Sequence, residues 1–265
     1  MTVNHLRSLR VLKIATISWF ISVALSQLLF IIYIFRFYGG NALSNSLEVW
    51  NEMTIKGYIS EDSMGNIVFA SHLFFAVILL VAGLLQLVPW VRENAIKFHR
   101  YSGRVYIFTA VLLSLGGLYL IWVREAFLSL NGALAITLNA FLILGFSYAT
   151  IQAARSGKIK SHRKWALRTF MVESGVWFFR VGFMAWIVIN QDAKWSTENL
   201  DGPFDIVWAY ANYLLPLLVL ELYFYMSEKP EKWKHYIMAA ILFLSVVLIG
   251  VGTFGSYLMM WGPNM

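Results

Sequence analysis

Long apolar stretches separated by short polar segments make up most of the chain. Each stretch approaches or exceeds the roughly 20 residues that an α-helix needs to cross the hydrocarbon core of a bilayer. A helix on the surface of a soluble protein would show a regular polar face, and these stretches do not. The pattern therefore predicts seven membrane-spanning helices, at residues 12–37, 67–91, 105–123, 130–154, 169–189, 206–226 and 236–261.

The amino-acid composition supports this interpretation. Of the 265 residues, 59% are hydrophobic and only 13% are charged, whereas soluble domains carry roughly 25% charged residues. The first apolar stretch is too long for the core of a signal peptide and has no clean cleavage site, so we expect it to be retained as a helix. The predicted fold class is an all-α integral membrane protein, a seven-transmembrane helix bundle forming a single domain over residues 1–265.

The charges of the connecting loops alternate in sign. Basic residues concentrate before the first stretch and in every second loop, at residues 92–104, 155–168 and 229–234, whereas most acidic residues lie in the other loops. Because cytoplasmic loops accumulate Lys and Arg, we predict a cytoplasmic N-terminus, an external C-terminus and a multi-pass protein of the bacterial inner membrane. The net charge of +7 then reflects orientation, and we expect no nucleic-acid partner. The absence of cysteine excludes disulfides, thiolate metal sites and cysteine nucleophiles.

Two of the basic loops resemble each other. Residues 96–100 have the sequence Ile-Lys-Phe-His-Arg and residues 159–163 the sequence Ile-Lys-Ser-His-Arg, each at the start of an outward-running helix. This similarity predicts a two-helix hairpin repeat, with His99 and His162 at one depth at the cytoplasmic membrane boundary. The arginines beside them are expected to bind a substrate or anionic lipid headgroups; they are Arg100, Arg104, Arg163 and Arg168.

Several ionisable and amide residues fall inside the predicted spans, where ionisable groups cost on the order of 2.5–3.5 kcal/mol each and usually face the bundle interior. They form a predicted intramembrane polar network: His72, Gln86, Glu173, Arg180, Asn212 and Glu221. In the fifth span, helical periodicity places Glu173 and Arg180 on one face, about 10 Å apart. In the sixth, Pro216 frees the carbonyl of Asn212 and predicts a kink. Recurring small residues such as Gly252 and Ser256 predict close helix packing.

The histidine, arginine and intramembrane positions resemble a bacterial family of predicted membrane proteins, domain of unknown function 2306. The resemblance covers roughly residues 67–225 and includes His72, Gly83, Gln86, Arg92, His99-Arg100-x-x-Gly103-Arg104-x-Tyr106, His162-Arg163-x-Trp165-x-x-Arg168, Arg180, Asn212 and Glu221. The chain departs from the family pattern at Leu84, where proline is usual, and at Ala166, where a larger apolar residue is common. The resemblance supports these site residues and implies no reaction.

Three classes of function follow from these patterns. The protein is an accessory or structural component with a membrane-protein partner, a proton-coupled transporter of an anionic small molecule or lipid, or an electron-transfer protein. The last would hold one b-type haem between His99 and His162, because bis-histidine ligation needs two imidazoles at one depth.

The sequence assigns no enzyme class. It contains no nucleophile elbow, no glycine-rich phosphate loop and no paired zinc-binding histidines on one helix. A metal ion bridging His99, His162 and His235 stays open as an alternative.

Overall fold

The computed structural model describes residues 3–265, and the regular structure in that range is helical. Eight long helices follow one another along the chain: α1 (Val3–Tyr33), α2 (Ser63–Leu87), α3 (Ile96–Trp122), α4 (Leu130–Arg155), α5 (Ile159–Glu173), α6 (Gly175–Asn190), α7 (Pro203–Ser227) and α8 (Lys232–Ser256). Short helical turns continue α1 and α8 and form the connection between α1 and α2.

Six of the helical segments are each long and apolar enough to cross a membrane, and the number of candidate spans is seven if the bent pair α5 and α6 counts as one. This confirms the prediction of a polytopic helical membrane protein. Many large apolar side chains are exposed on the outside of the bundle, as expected where lipid replaces water. The direction of insertion stays a prediction from the loop charges.

The fifth span is bent, which corrects the prediction of one continuous helix over residues 169–189. Helices α5 and α6 meet at Ser174 at an angle of 53°. Ser174 has a ψ angle of 2°, outside the helical range, so the 3.6-residue periodicity does not carry across it. The expectation that Glu173 and Arg180 share one helix face was therefore wrong. Serine followed by glycine, here Gly175, is a common site of helix kinks.

Helix α7 continues through Pro216 without a break. The side-chain amide of Asn212 donates to the carbonyl oxygens of Trp208 and Ala209, at 2.8 and 2.7 Å. The Asn212 side chain therefore bonds to the turn that precedes it in α7, and not to the backbone around Pro216.

The helices form two groups. In the first, α2 packs on α3, α3 on α4 and α4 on α5; in the second, α1 and α6 both pack on α8. The bend at Ser174 moves the fifth span from the first group to the second, and α7 contacts both groups. Gly252 allows α8 to approach α6 closely, since a Cβ atom there would collide with the carbonyl of Val181. The predicted packing role of Gly252 is confirmed.

The basic loops lie together at one end of the bundle, which we call the basic end (residues 88–104, 155–168 and 227–235). Lys164, near the start of α5, forms a 2.7 Å ion pair with Glu228, which follows α7. At the opposite end, the buried Arg124 after α3 forms a 3.0 Å ion pair with Asp62 and donates to the carbonyl of Gly65 at 2.9 Å. These contacts fix the loops that close the two ends.

Candidate binding cavity and polar layer

A cavity of about 2010 Å³ lies between the two groups of helices. This is about twice the upper end of the ~300–1,000 Å³ range typical of small-molecule sites. Its lining runs from Ile96, at the start of α3, to Ile189 and Phe204, near the opposite end of the bundle. Most of the lining side chains are apolar, so the interior suits a long hydrocarbon group.

The polar part of the lining is concentrated at the basic end. His99, Arg100 and Arg104 from α3 and His162 and Arg163 from α5 all contribute to the wall. Arg92, Arg155 and Lys160 lie beside them. The structure therefore brings five of the six predicted histidine and arginine site residues to one mouth. These residues come together because each of the two similar loops leads into a helix that begins at this end.

The two histidines at this mouth have different surroundings. The Nδ1 of His162 lies 3.1 Å from the carbonyl oxygen of Thr150, which fixes the orientation of the ring. The Nδ1 of His99 is buried and has no hydrogen-bond partner among residues 3–265. His99 lies within electrostatic reach of Arg92, Arg100 and His162. Both histidines belong to the lining of the cavity.

Arg168 lies apart from this mouth and forms an ion pair with Glu221. Its Nε donates to Oε1 at 2.6 Å and its Nη2 to Oε2 at 2.9 Å. The guanidinium also stacks over the ring of Trp165, 4.5 Å from the ring centroid. Neither Arg168 nor Glu221 belongs to the cavity lining, so the pair joins α5 to α7, whereas the other arginines face the cavity.

Four apolar residues of the cavity lining are well exposed. Ile17, Phe108, Leu215 and Leu244 have between 48% and 65% of their surface accessible. They come from α1, α3, α7 and α8.

A layer of polar side chains surrounds the bend at Ser174. Gln27 of α1 donates from Nε2 to the Ser174 hydroxyl at 3.2 Å, and Asn139 of α4 donates from Nδ2 to the carbonyl of Val172 at 3.2 Å. A Cβ atom on Gly175 would lie 3.0 Å from the Asn139 amide nitrogen. Two helices, α1 and α4, thus close around the bend and supply partners where regular helical hydrogen bonding is interrupted.

Glu173 ends α5 at this layer. Its Oε1 is buried and has no hydrogen-bond partner among the described residues, and the same holds for the Tyr106 hydroxyl and Gln27 Oε1. Tyr106 comes from α3, so these three side chains belong to three helices. Gln27 was missed by the sequence analysis, although it is an amide side chain within a predicted apolar span.

Two further members of the predicted polar network, His72 and Arg180, have other surroundings. The His72 ring packs against Gly116 and Gly117 of α3, which leave room for it. Arg180 lies over the ring of Phe30, 5.4 Å from the centroid, and donates to the Val176 carbonyl at 3.4 Å.

Gln86, the network member nearest the basic end, connects α2 to α3. Its Nε2 donates to the Ser102 hydroxyl at 2.7 Å and to the His99 carbonyl at 3.2 Å. This bond holds the first turn of α3 in place, and with it the position of His99 at the cavity mouth.

His235 is held by contacts of its own, which corrects the alternative of a metal ion bridging three histidines. Its Nδ1 lies 3.0 Å from the Ser8 hydroxyl and its Nε2 lies 3.0 Å from the Lys229 carbonyl. Over residues 3–265, no three histidine, aspartate or glutamate side chains are arranged to hold a metal ion together. Sequence position alone placed His235 at the same end, but not beside the other two.

In a comparison with protein families, the model described as "Predicted membrane protein (DUF2306)" aligns with residues 69–202. This range extends from α2 to the loop before α7 and includes both histidines of the cavity mouth and Glu173. Comparisons with curated proteins and with solved structures give no match.

Proposed function

We propose that this chain, which belongs to the family of predicted membrane proteins described as DUF2306, binds an amphipathic molecule that has an acidic headgroup and a long apolar tail. The headgroup binds at Arg100, Arg163 and the two histidines, and the tail lies in the cavity between the helix groups. The observation that supports this proposal most is the combination of a 2010 Å³ apolar interior with a basic mouth.

Electrostatics favours an acidic headgroup over a neutral one. The mouth carries at least four arginines, and no carboxylate belongs to the cavity lining within the described residues. Each Lys or Arg near an acidic lipid surface contributes about 1 kcal/mol. Arginine in addition forms bidentate hydrogen bonds with carboxylate and phosphate groups.

Hydrophobic burial favours a long tail. Burying apolar chain in the cavity would contribute about 0.8 kcal/mol per methylene if the tail came from water. For a molecule already dissolved in the bilayer this gain largely disappears, so the headgroup contacts decide selectivity. We infer that such a molecule enters from the membrane between the helices, where Phe108 and Leu244 are exposed.

Binding of this kind requires no catalytic group and is compatible with transport of the bound molecule or with an accessory role in a larger membrane assembly. Both interpretations share the binding step, so this step is the one to test first.

Native mass spectrometry of the purified protein tests the proposal. We expect acidic lipids or acidic amphiphiles to co-purify with the wild-type protein and to be depleted at least fivefold in the variant with Arg100→Gln and Arg163→Gln. The matched control carries Lys97→Gln and Lys158→Gln, which remove the same charge from the same loops but at exposed residues outside the cavity lining. Equal depletion in both variants, or no bound acidic species in the wild type, contradicts the proposal.

A second candidate is a b-type haem at the same mouth, and one observation favours it. The 3.1 Å contact of His162 Nδ1 with the Thr150 carbonyl is the kind of bond that orients a metal-ligating histidine and leaves Nε2 for the metal. The test is the absorption spectrum of protein expressed with an adequate haem supply. A Soret band that is lost in His162→Ala and retained in His72→Ala supports a haem; no band in the wild type excludes it.

A further inference from the structure

A small void lies beside the bend of the fifth span. Its volume is about 10 Å³, and its lining includes Gln27, Tyr106, Glu173 and Ser174. A cavity of roughly 10–15 Å³ is the smallest that holds one water molecule, provided that two to four polar groups surround it. The void therefore has the size of one water molecule.

The polar groups that such a water needs are present and unpaired. Gln27 Oε1, the Tyr106 hydroxyl and Glu173 Oε1 are buried and make no hydrogen bond to the described part of the protein. Leaving one buried polar group unpaired costs about 1–3 kcal/mol. Three such groups around one void are thus a strong indication of a common partner.

No cationic side chain neutralises Glu173. Among residues 3–265, the six ion pairs found do not include it. The nearest candidates in the sequence are committed elsewhere, Arg168 to Glu221 and Arg180 to the Phe30 ring. Apart from Glu173 itself, the one titratable group within the lining of the void is Tyr106 on α3. The elements that supply the rest of this lining, from α1 and α2, add only Gln27 and apolar residues.

We propose that the Glu173 carboxyl group is a proton-binding site that carries its proton at neutral pH, with one water molecule in the void bonded to it, to Tyr106 and to Gln27. A buried carboxylate without a cationic partner in the bilayer core is costly, and binding a proton removes the charge. The neutral carboxyl O–H donates a hydrogen bond to the water, and the water in turn donates a hydrogen bond to Gln27 Oε1. The Tyr106 hydroxyl completes the arrangement as a donor to the water.

This site lies directly behind the wall of the large cavity. Gly83, Tyr106 and Phe170 line both the void and the large cavity. A molecule that fills the large cavity displaces water from the other side of this wall, so its binding and the proton on Glu173 are energetically linked. Only this link rests on the proposed function; the proton site itself does not.

Infrared spectroscopy tests the proton site without any added ligand. The protein is studied at pH 7 in a detergent that has no carbonyl groups, where a protonated carboxyl gives a C=O band separate from the amide bands. We expect this band in the wild type and its loss in Glu173→Gln, a substitution of nearly the same shape. Glu221→Gln is the matched control, since Glu221 is ion-paired and its replacement should leave the band in place.

Two outcomes overturn the proposal: no protonated-carboxyl band in the wild type, or an unchanged band in Glu173→Gln. Tyr106→Phe provides a second variant should Glu173→Gln fail to fold, and it is expected to shift the band without removing it. Loss of the wild-type band on addition of NaCl, but not of choline chloride, would also overturn it, because the void would then bind a sodium ion. Failure of acidic amphiphiles to bind would leave the infrared result unaffected.

Discussion

Arg168 of α5 and Glu221 of α7 face each other in a two-bond ion pair, with distances of 2.6 and 2.9 Å. The Arg168 side chain is 20% exposed and the Glu221 side chain 43% exposed. This pair ties the first half of the bent fifth span to the helix that contacts both groups. It also neutralises an acid and a base that would each be costly alone in this apolar region.

Breaking this pair should destabilise the bundle. Because Glu221 is partly exposed, we expect Arg168→Gln and Glu221→Gln each to lower the free energy of unfolding by about 1–2 kcal/mol, less than for a fully buried pair. The double variant should lose less than the sum of the two, since the second substitution removes the group that the first left unpaired. Unfolding in mixed micelles measures all three, and strictly additive losses would show that the pair contributes nothing.

The contact between α6 and α8 depends on a glycine. In Gly252→Ala the new methyl group would collide with the Val181 backbone, and the helices would have to separate. We expect a loss of about 2–3 kcal/mol, as for overpacked cores. Gly250→Ala is the matched control in the same helix, because nothing lies within 4 Å of its Cβ position. Comparable thermal unfolding of the two variants would contradict this packing.

The ion pair at the basic end should respond to pH. The hydrogen bond and charge of Lys164 hold the pKa of Glu228 below its usual value of 4.5. A carboxylate with a lowered pKa contributes stability above the unfolded-state value, and this contribution is lost as the pH falls through the folded-state value. Unfolding midpoints of wild type and Glu228→Gln should therefore differ at pH 7 and converge below pH 4.5. A constant difference across this range would rule out the contribution of the pair.

The predicted orientation can be tested directly because the chain has no cysteine. Single cysteines at Lys158, in the basic end, and at Thr197, in the opposite loop, provide unique labelling sites. In intact cells, after the outer membrane has been made permeable, a membrane-impermeant maleimide should label Thr197→Cys and spare Lys158→Cys. The reverse pattern would show that the basic end faces outward.

The helical segments able to cross a membrane were predictable from sequence because they depend on the length of apolar stretches, which is a local property. The bend at Ser174 was not predicted, since the apolar residues on both sides of it fit one continuous span. Its one local signal is the Ser174-Gly175 pair. The polar layer that Gln27 and Asn139 form around this bend depends on contacts between helices that are distant in the sequence.

The partners of individual polar residues could not be predicted from the sequence for the same reason. Arg168 was expected beside Arg163 at a headgroup site, but its position along α5 turns it toward Glu221. His99 and His162 meet at one mouth because two similar loops place them at equivalent positions. His235 lies in the third basic loop, whose sequence is less similar to the other two, and it bonds instead to Ser8.

The central claim is that the cavity mouth selects an acidic headgroup, and the affinity for two amphiphiles of equal chain length measures it most directly. One has a carboxylate headgroup and the other a hydroxyl. We predict that the wild type prefers the acidic amphiphile by at least tenfold, and that Arg100→Gln with Arg163→Gln abolishes this preference while Lys97→Gln with Lys158→Gln retains it. Equal affinity of the wild type for both amphiphiles would contradict the account.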